Sequence, residues 1–239
     1  LWMVQDKTLD KTMIVEPYAD WFTSQHEDWT DIRDIAKGEI HKPMASLENL
    51  TYLFKAKEDS DYYNKKYTDD TREVYGQADE DIDNDFLKGE KVTELSYSPT
   101  VSVGHETNGL IIPKILTYDN GVIKPIKHNT RSMLWGGVIT MDGGFWQLFS
   151  NSAGVTTYSQ FPYLGHLDHP YNPTFDFLFD NPQQIYWERP NLVYTDNNLY
   201  NVYWKPFINQ ITNKNSRVVE RYYYLSERRI RELNYRKRI

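Results

Sequence analysis

The 239 residues carry 27 Lys/Arg against 34 Asp/Glu, a net charge of −7, with 15% aromatics, 19 Tyr and no Cys. The missing cysteines exclude disulfide frameworks and Cys-ligated zinc or iron–sulfur centres, and without a run of ~18 apolar residues there is no membrane-spanning helix. The acidic body argues against general nucleic-acid binding, which needs a basic footprint to replace phosphate counterions.

The charge is unevenly spread. Nine Lys/Arg and three Glu lie between Lys214 and Ile239, a balance of +6, which leaves −13 on the first 213 residues. That tail could touch nucleic acid or face an acidic surface of a neighbouring subunit, and the neighbour is the favoured reading. Scarce Ala beside abundant Tyr, Thr, Val and Ile biases the chain toward strands. Length leaves one large domain or two smaller ones open. Leu1–Lys7 lack the charged-then-apolar pattern of a signal peptide. A start without Met and a stop at Arg236-Lys-Arg-Ile239, as if within a strand, read as a piece of a longer protein.

In chain order, residues 1–60 are mixed, with Trp2, Trp21, Phe22 and Trp29 as large apolar anchors. Ile32, Ile35 and Ala36 at helical spacing before Gly38 predict a short helix over 28–38, and Pro43–Phe54 reads as a helix turning into a strand. Residues 57–94 hold thirteen Asp/Glu and six Lys/Arg and read as a helical or irregular excursion with a solvated face. Val92–Pro99 alternates like a half-buried strand. Asn120-Gly121 between apolar runs predicts a hairpin, because both residues accept positive φ. Arg131–Thr140, broken by Gly136-Gly137, and Met141–Phe149 read as further strands with bulges.

Asp196 is the expected N-cap of a helix near 196–212 carrying Leu199, Tyr203, Phe207 and Ile211 on one stripe. Pro206 should kink or stop that helix near Lys205. A strand at Arg217–Leu225, a helical turn capped by Ser226 and a further strand from Tyr235 complete the chain. The fold expected is mainly β (α+β): an antiparallel β-sandwich or barrel-like module with a few short helices. Residues 1–95 form a mixed acidic region and 96–239 the β-rich domain.

Motifs that carry chemistry are weak. Asp79, Asp81, Asp83 and Glu90 fall at positions 1, 3, 5 and 12 of a twelve-residue calcium loop, in which oxygens wrap one cation and the last Glu is bidentate. Position 6 is Asn84 where that loop has Gly, and an acidic solvated loop is the better reading of the run. His166-Leu-Asp-His169 suggests metal ligation only superficially, since a loop bonding its own backbone accounts for the same residues. There is no Gly-x-Ser-x-Gly elbow and no phosphate-binding Gly-x-x-x-x-Gly-Lys loop. Trp135, Trp146, Trp187 and Trp204 could stack on sugar rings beside a pair of carboxylates. Packing is the commoner use of such side chains.

Asn84–Glu90, Gly165–Phe177, Thr195–Phe207 and Val218–Ser226, in that order, resemble a segment of the large tail structural proteins of crAss-like tailed bacteriophages of Bacteroidetes. The resemblance covers roughly residues 50–239. It implies a virion location and a hub-type or tail-tip domain in which β-modules assemble around a channel. Its partners would be other copies of the chain and neighbouring tail proteins. The expectation is a structural component, with neither catalysis nor a cofactor. Tyr186, Trp187, Tyr222, Tyr224, Arg228, Arg229, Arg231 and Arg236 are its expected interface residues, since aromatic and Arg anchors dominate such contacts. The alternative is a glycan-binding or glycan-cleaving tail module acting on the bacterial surface.

Overall fold

The computed structural model describes the chain apart from residues 1, 7, 8, 10, 44–48, 84–86, 105–109, 120, 124–127, 142–143, 151–153, 184–193, 214 and 239. Its strands are β1 (Trp2–Gln5), β2 (Met13–Glu16), β3 (Ile40–Pro43), β4 (Thr51–Lys55), β5 (Ala78–Asp81), β6 (Glu90–Glu94), β7 (Ser102–Gly104), β8 (Ile111–Pro113), β9 (Tyr118–Asp119), β10 (Val122–Ile123), β11 (Leu134–Thr140), β12 (Trp146–Ser150), β13 (Gly154–Tyr158), β14 (Gln160–Gly165) and β15 (Arg217–Glu220). The α-helices are short: α1 (Tyr18–Trp21), α2 (Tyr62–Thr71), α3 (Lys205–Thr212) and α4 (Glu227–Glu232). This is the β-rich α+β class that composition predicts. Among the described residues the strands form one three-stranded sheet, β5-β4-β6, and six two-stranded sheets, and no barrel closes.

The chain divides into two compact units, and neither is a continuous stretch. One contains Leu1–Leu50, Ile82–Lys88 and Val202–Ile239; the other contains Thr51–Asp81 and Gly89–Asn201.

In the first unit the two ends of the chain are tied together. β3 pairs antiparallel with β15, setting His41 opposite Val219. Trp21 is buried and its indole N–H donates to the Tyr235 carbonyl at 3.2 Å. The backbone N–H groups of Thr23 and Glu27 donate to the carbonyls of Arg236 and Arg238. Trp29 packs edge-on against Tyr223 at 5.2 Å, and Tyr18 of α1 packs on Phe207 of α3 at 5.3 Å. The helix expected over 28–38 is replaced by two 3-10 turns, Thr30–Ile32 and Ile35–Lys37. Asp34 interrupts them and caps the second, accepting from the Ala36 N–H at 3.1 Å, so its side chain competes with a continuous helix. Pro43 ends β3; most of the helix expected after it falls on residues 44–48, outside the described residues, and the strand expected to follow is β4.

In the second unit β4 is the central strand, burying Tyr52 and Phe54 on one face. The Phe54 ring meets Phe179 at 5.7 Å and Tyr200 at 5.1 Å. Among the described residues the unit also holds two apolar clusters: Tyr67, Tyr75, Val101, Val103 and Leu178, and Ile111, Ile139, Met141, Phe161 and Tyr163. The Gly136-Gly137 pair is a bulge in the β11–β14 ladder, with Gly137 at φ +79°. A Cβ on Gly136 would lie 2.6 Å from the Asp168 carbonyl oxygen, so the bulge lets two backbones touch. The predicted hairpin forms, pairing β9 with β10, and Gly121 takes φ +83°, while Asn120 lies outside the described residues.

The helical stretch after residue 198 departs from expectation at both its start and its proline. Asn198, not Asp196, caps it: the buried Asn198 side chain accepts from the Asn201 N–H at 2.8 Å, while Asp196 is exposed. Pro206 does not stop it. A π-helical turn, Tyr200–Trp204, precedes α3 and puts Pro206 in its first positions, where a missing N–H breaks no intrahelical bond. Ser226 caps α4 as predicted, accepting from the Arg229 N–H at 3.3 Å.

Candidate functional site

The acidic residues with calcium-loop spacing are spread over separate strands. Asp79 and Asp81 lie on β5 and Glu90 on β6, with β4 running between, so that Thr51 faces Asp81 on one side and Glu90 on the other. Two strand spacings put the backbones of Asp81 and Glu90 about 10 Å apart. The Asp81 carboxylate accepts from the Thr51 hydroxyl at 2.6 Å. Asp83 belongs to the other unit. Among the described residues no group of three or more His, Asp or Glu is placed to hold a metal ion.

The loop after β14 folds on its own carboxylate and imidazole. Asp168 accepts from the N–H groups of Thr174 at 2.8 Å and Phe175 at 3.0 Å, and also from the Thr174 hydroxyl. His169 Nδ1 accepts from the N–H groups of Tyr171 and Asn172. His166 does something else. Its Nδ1 lies 2.8 Å from Asp176 Oδ1 and its Nε2 3.1 Å from the Tyr75 hydroxyl, and all three side chains are buried. Asp176 Oδ1 also accepts from the Leu178 N–H at 3.0 Å. This Asp–His–Tyr chain fastens the segments around residues 75, 166 and 176.

A second buried constellation joins three segments of the same unit. The Arg131 guanidinium donates to Asp61 Oδ2 at 2.8 Å, to Asp59 and to the Pro99 carbonyl. Asn64 donates to Asp61 at 2.6 Å and to the Pro99 carbonyl at 2.9 Å, and the Asn129 N–H donates to Asp59 at 2.9 Å. Sequence offered no signal for either set, because Arg131 lies 70 and 72 residues from Asp61 and Asp59, and 91 residues separate Tyr75 from His166.

Burial, and then the neighbouring Asp176 carboxylate, push the Tyr75 phenol far above the ordinary tyrosine range. Burial lifts Tyr97, stacked on Phe177, to about 12; burial and the hydrogen bond to Glu80 lift Tyr200 as well. These phenols keep their protons in the folded protein at a pH where the unfolded chain loses them. Their contribution is therefore complete below about pH 10 and is lost as pH climbs toward the folded values. We expect unfolding to set in above pH 10, Tyr75 alone removing about 1.4 kcal/mol per pH unit. Tyrosinate absorbance should show a late component that rises together with the loss of ellipticity. Complete tyrosine ionisation with unchanged ellipticity would contradict the assignment.

The expected interface residues have these positions. Tyr186 and Trp187 lie outside the described residues. Tyr222 and Tyr224 are exposed; Lys37 Nζ sits 4.8 Å from the Tyr222 ring, and the Tyr224 N–H donates to the Ile32 carbonyl. Arg228 pairs with Glu232 at 2.9 Å, Arg229 with Asp31 at 3.5 Å and Arg231 with Glu227 at 3.7 Å. Arg236 is turned inward, donating to Glu16 and to the Trp21 carbonyl with its guanidinium 5.8 Å from the Trp21 ring. These arginines have carboxylate partners within the chain. Of the tryptophans, Trp135 is 63% exposed and Trp146 half-buried in one unit, Trp204 is in the other, and Trp187 lies outside the described residues.

Sequence reasoning missed the most unusual surface of the second unit. Between Asp142 and Asp168 the sequence has no Asp, Glu, Lys or Arg, in a chain that is 26% charged. Within that stretch β12 and β13 pair only with each other among the described residues, Trp146 opposite Tyr158 and Phe149 opposite Val155. Phe149 is 75% exposed, Phe145 56%, Leu148 and Val155 53% and Tyr158 41%. Exposed, uncharged strand edges are a template for further pairing, which free-standing proteins blunt with Lys, Pro or bulges. Comparison of the chain with protein-family models, curated proteins and solved structures finds no match.

Proposed function

We propose that this chain is a structural component of a bacteriophage tail, part of an oligomeric tail-tip or hub assembly in the virion that is held by contacts with other copies and neighbouring tail proteins. The observation that carries this reading is the uncharged β12–β13 ribbon with its exposed aromatic and aliphatic side chains. A lone two-stranded ribbon is marginal in water, and apolar strand edges left open favour addition to another chain. The resemblance of residues 50–239 to crAss-like tail proteins points the same way. The ionisable groups held most tightly, Arg131 with Asp59 and Asp61 and His166 with Asp176, are buried and fasten segments together. That use of charge suits a scaffold. No helix of the described residues is long and apolar enough to cross a membrane.

Sedimentation velocity of the purified chain over a range of concentrations tests this, together with antibody labelling of intact particles. Mass should rise with concentration, and label should decorate the tail tip. A chain that stays monomeric throughout, binds surface polysaccharide of the bacterial host and never labels particles would overturn the proposal in favour of a glycan-directed module.

A further inference from the structure

We infer that the β12–β13 ribbon is a strand-addition surface and that its occupant is the same ribbon of a second copy of this chain; the inference deepens, and rests on, the assembly reading above. The ribbon has a fixed root and a projecting body. At the root Trp146 packs against the cluster of Ile111, Ile139, Met141, Phe161 and Tyr163, donates its indole N–H to the Gln160 carbonyl at 2.7 Å and stacks on Tyr158 at 4.9 Å. Beyond it Leu148, Phe149 and Val155 stand exposed.

Successive side chains of a strand point to opposite faces. Trp146, Leu148, Thr156 and Tyr158 therefore share one face, and Gln147, Phe149, Val155 and Thr157 share the other. Apolar groups thus occupy both faces. A helix or a lipid surface laid on one face would leave the other in water. Addition of a second ribbon at an edge lengthens both faces at once, placing Phe149 and Val155 beside apolar side chains and giving the open backbone groups partners.

Charge selects the identity of that second ribbon. With no Asp, Glu, Lys or Arg between Asp142 and Asp168, self-pairing opposes no like charges, and an acidic or basic partner would find nothing to pair with. The β3–β15 ribbon of the first unit makes the contrast. It carries Lys42, Arg217 and Glu220, with a cross-strand Lys42–Glu220 pair, which are the charges that guard an edge. Area is consistent with a specific contact. The exposed parts of Phe145, Leu148, Phe149, Val155 and Tyr158 amount to about 500 Å² per copy, and two copies reach the order of 1,000 Å² at which specific interfaces begin.

The chain has no cysteine, which makes covalent capture clean. Leu148→Cys and Thr156→Cys proteins, oxidised separately and as a mixture, should give a disulfide-linked dimer in at least one combination, because paired strands bring such Cα atoms within about 4.5–5.5 Å. Val155→Lys should weaken self-association at least tenfold in sedimentation, and Val155→Thr should leave it intact, with both variants melting like the parent. If the parent associates while Val155→Lys associates equally and no combination cross-links, the ribbon is not the contact and this inference fails with the assembly reading intact. If the parent is monomeric throughout, the assembly reading itself fails.

Discussion

Replacing Arg131 with alanine is expected to destabilise the second unit by about 3–5 kcal/mol, the largest loss anticipated from any single side chain here. Arg131, Asp59 and Asp61 are each no more than 5% exposed at the side chain, so the guanidinium balances two carboxylates that water cannot reach. Removing it leaves both anions buried, and it also strips a donor from the Pro99 carbonyl. Arg131→Lys should recover only part of the loss, since an ammonium cannot serve both carboxylates and the carbonyl with a planar fork. Adding Asp59→Asn to Arg131→Ala should restore part of the stability by removing one of the two unpaired charges. Urea titration followed by ellipticity measures all three. A cost below about 1 kcal/mol for Arg131→Ala, a value ordinary for a surface ion pair, would show that the triad is not the fastening it resembles.

That triad also shows what can be read from a sequence like this one. The class of fold was legible because it depends on residue types: Tyr, Thr, Val and Ile over Ala, and Gly121, whose positive φ suits the hairpin that forms. Local capping was legible where the competing signals were few, as at Ser226. It failed at residue 196, because Asp196, Asn197 and Asn198 are all competent caps and only tertiary burial selects Asn198. Pro206 misled for a related reason: its effect depends on where the helical turn begins, and the π-helical turn before it moved that point.

The pairing of β3 with β15 joins segments separated by more than 170 residues, and neither segment carries a pattern that names the other. The acidic run at 79–90 had loop spacing along the chain, but the backbone routed Asp81 and Glu90 to opposite sides of β4. The ribbon's signal was present and of another kind. It is an absence, the uncharged stretch between Asp142 and Asp168, and motif searching looks for residues that are present.

The second large effect is expected at Asp176. Its Oδ1 accepts from His166 Nδ1 and from the Leu178 N–H, and its backbone N–H donates to the Asn197 carbonyl, so one residue ties together three segments of the unit. Asp176→Ala leaves His166 Nδ1 and the Leu178 N–H buried without partners, at about 1–3 kcal/mol each, and the summed cost should approach that of Arg131→Ala. Asp176→Asn keeps an acceptor at Oδ1 and should cost much less. The Tyr75 hydroxyl bonds the far nitrogen of the same ring, so Tyr75→Phe and Asp176→Ala should be non-additive, with a coupling of about 0.5 kcal/mol or more in a double-mutant cycle. Strict additivity would mean that the Asp–His–Tyr chain is two independent contacts sharing a ring, and the unit would then be fastened at Arg131 alone.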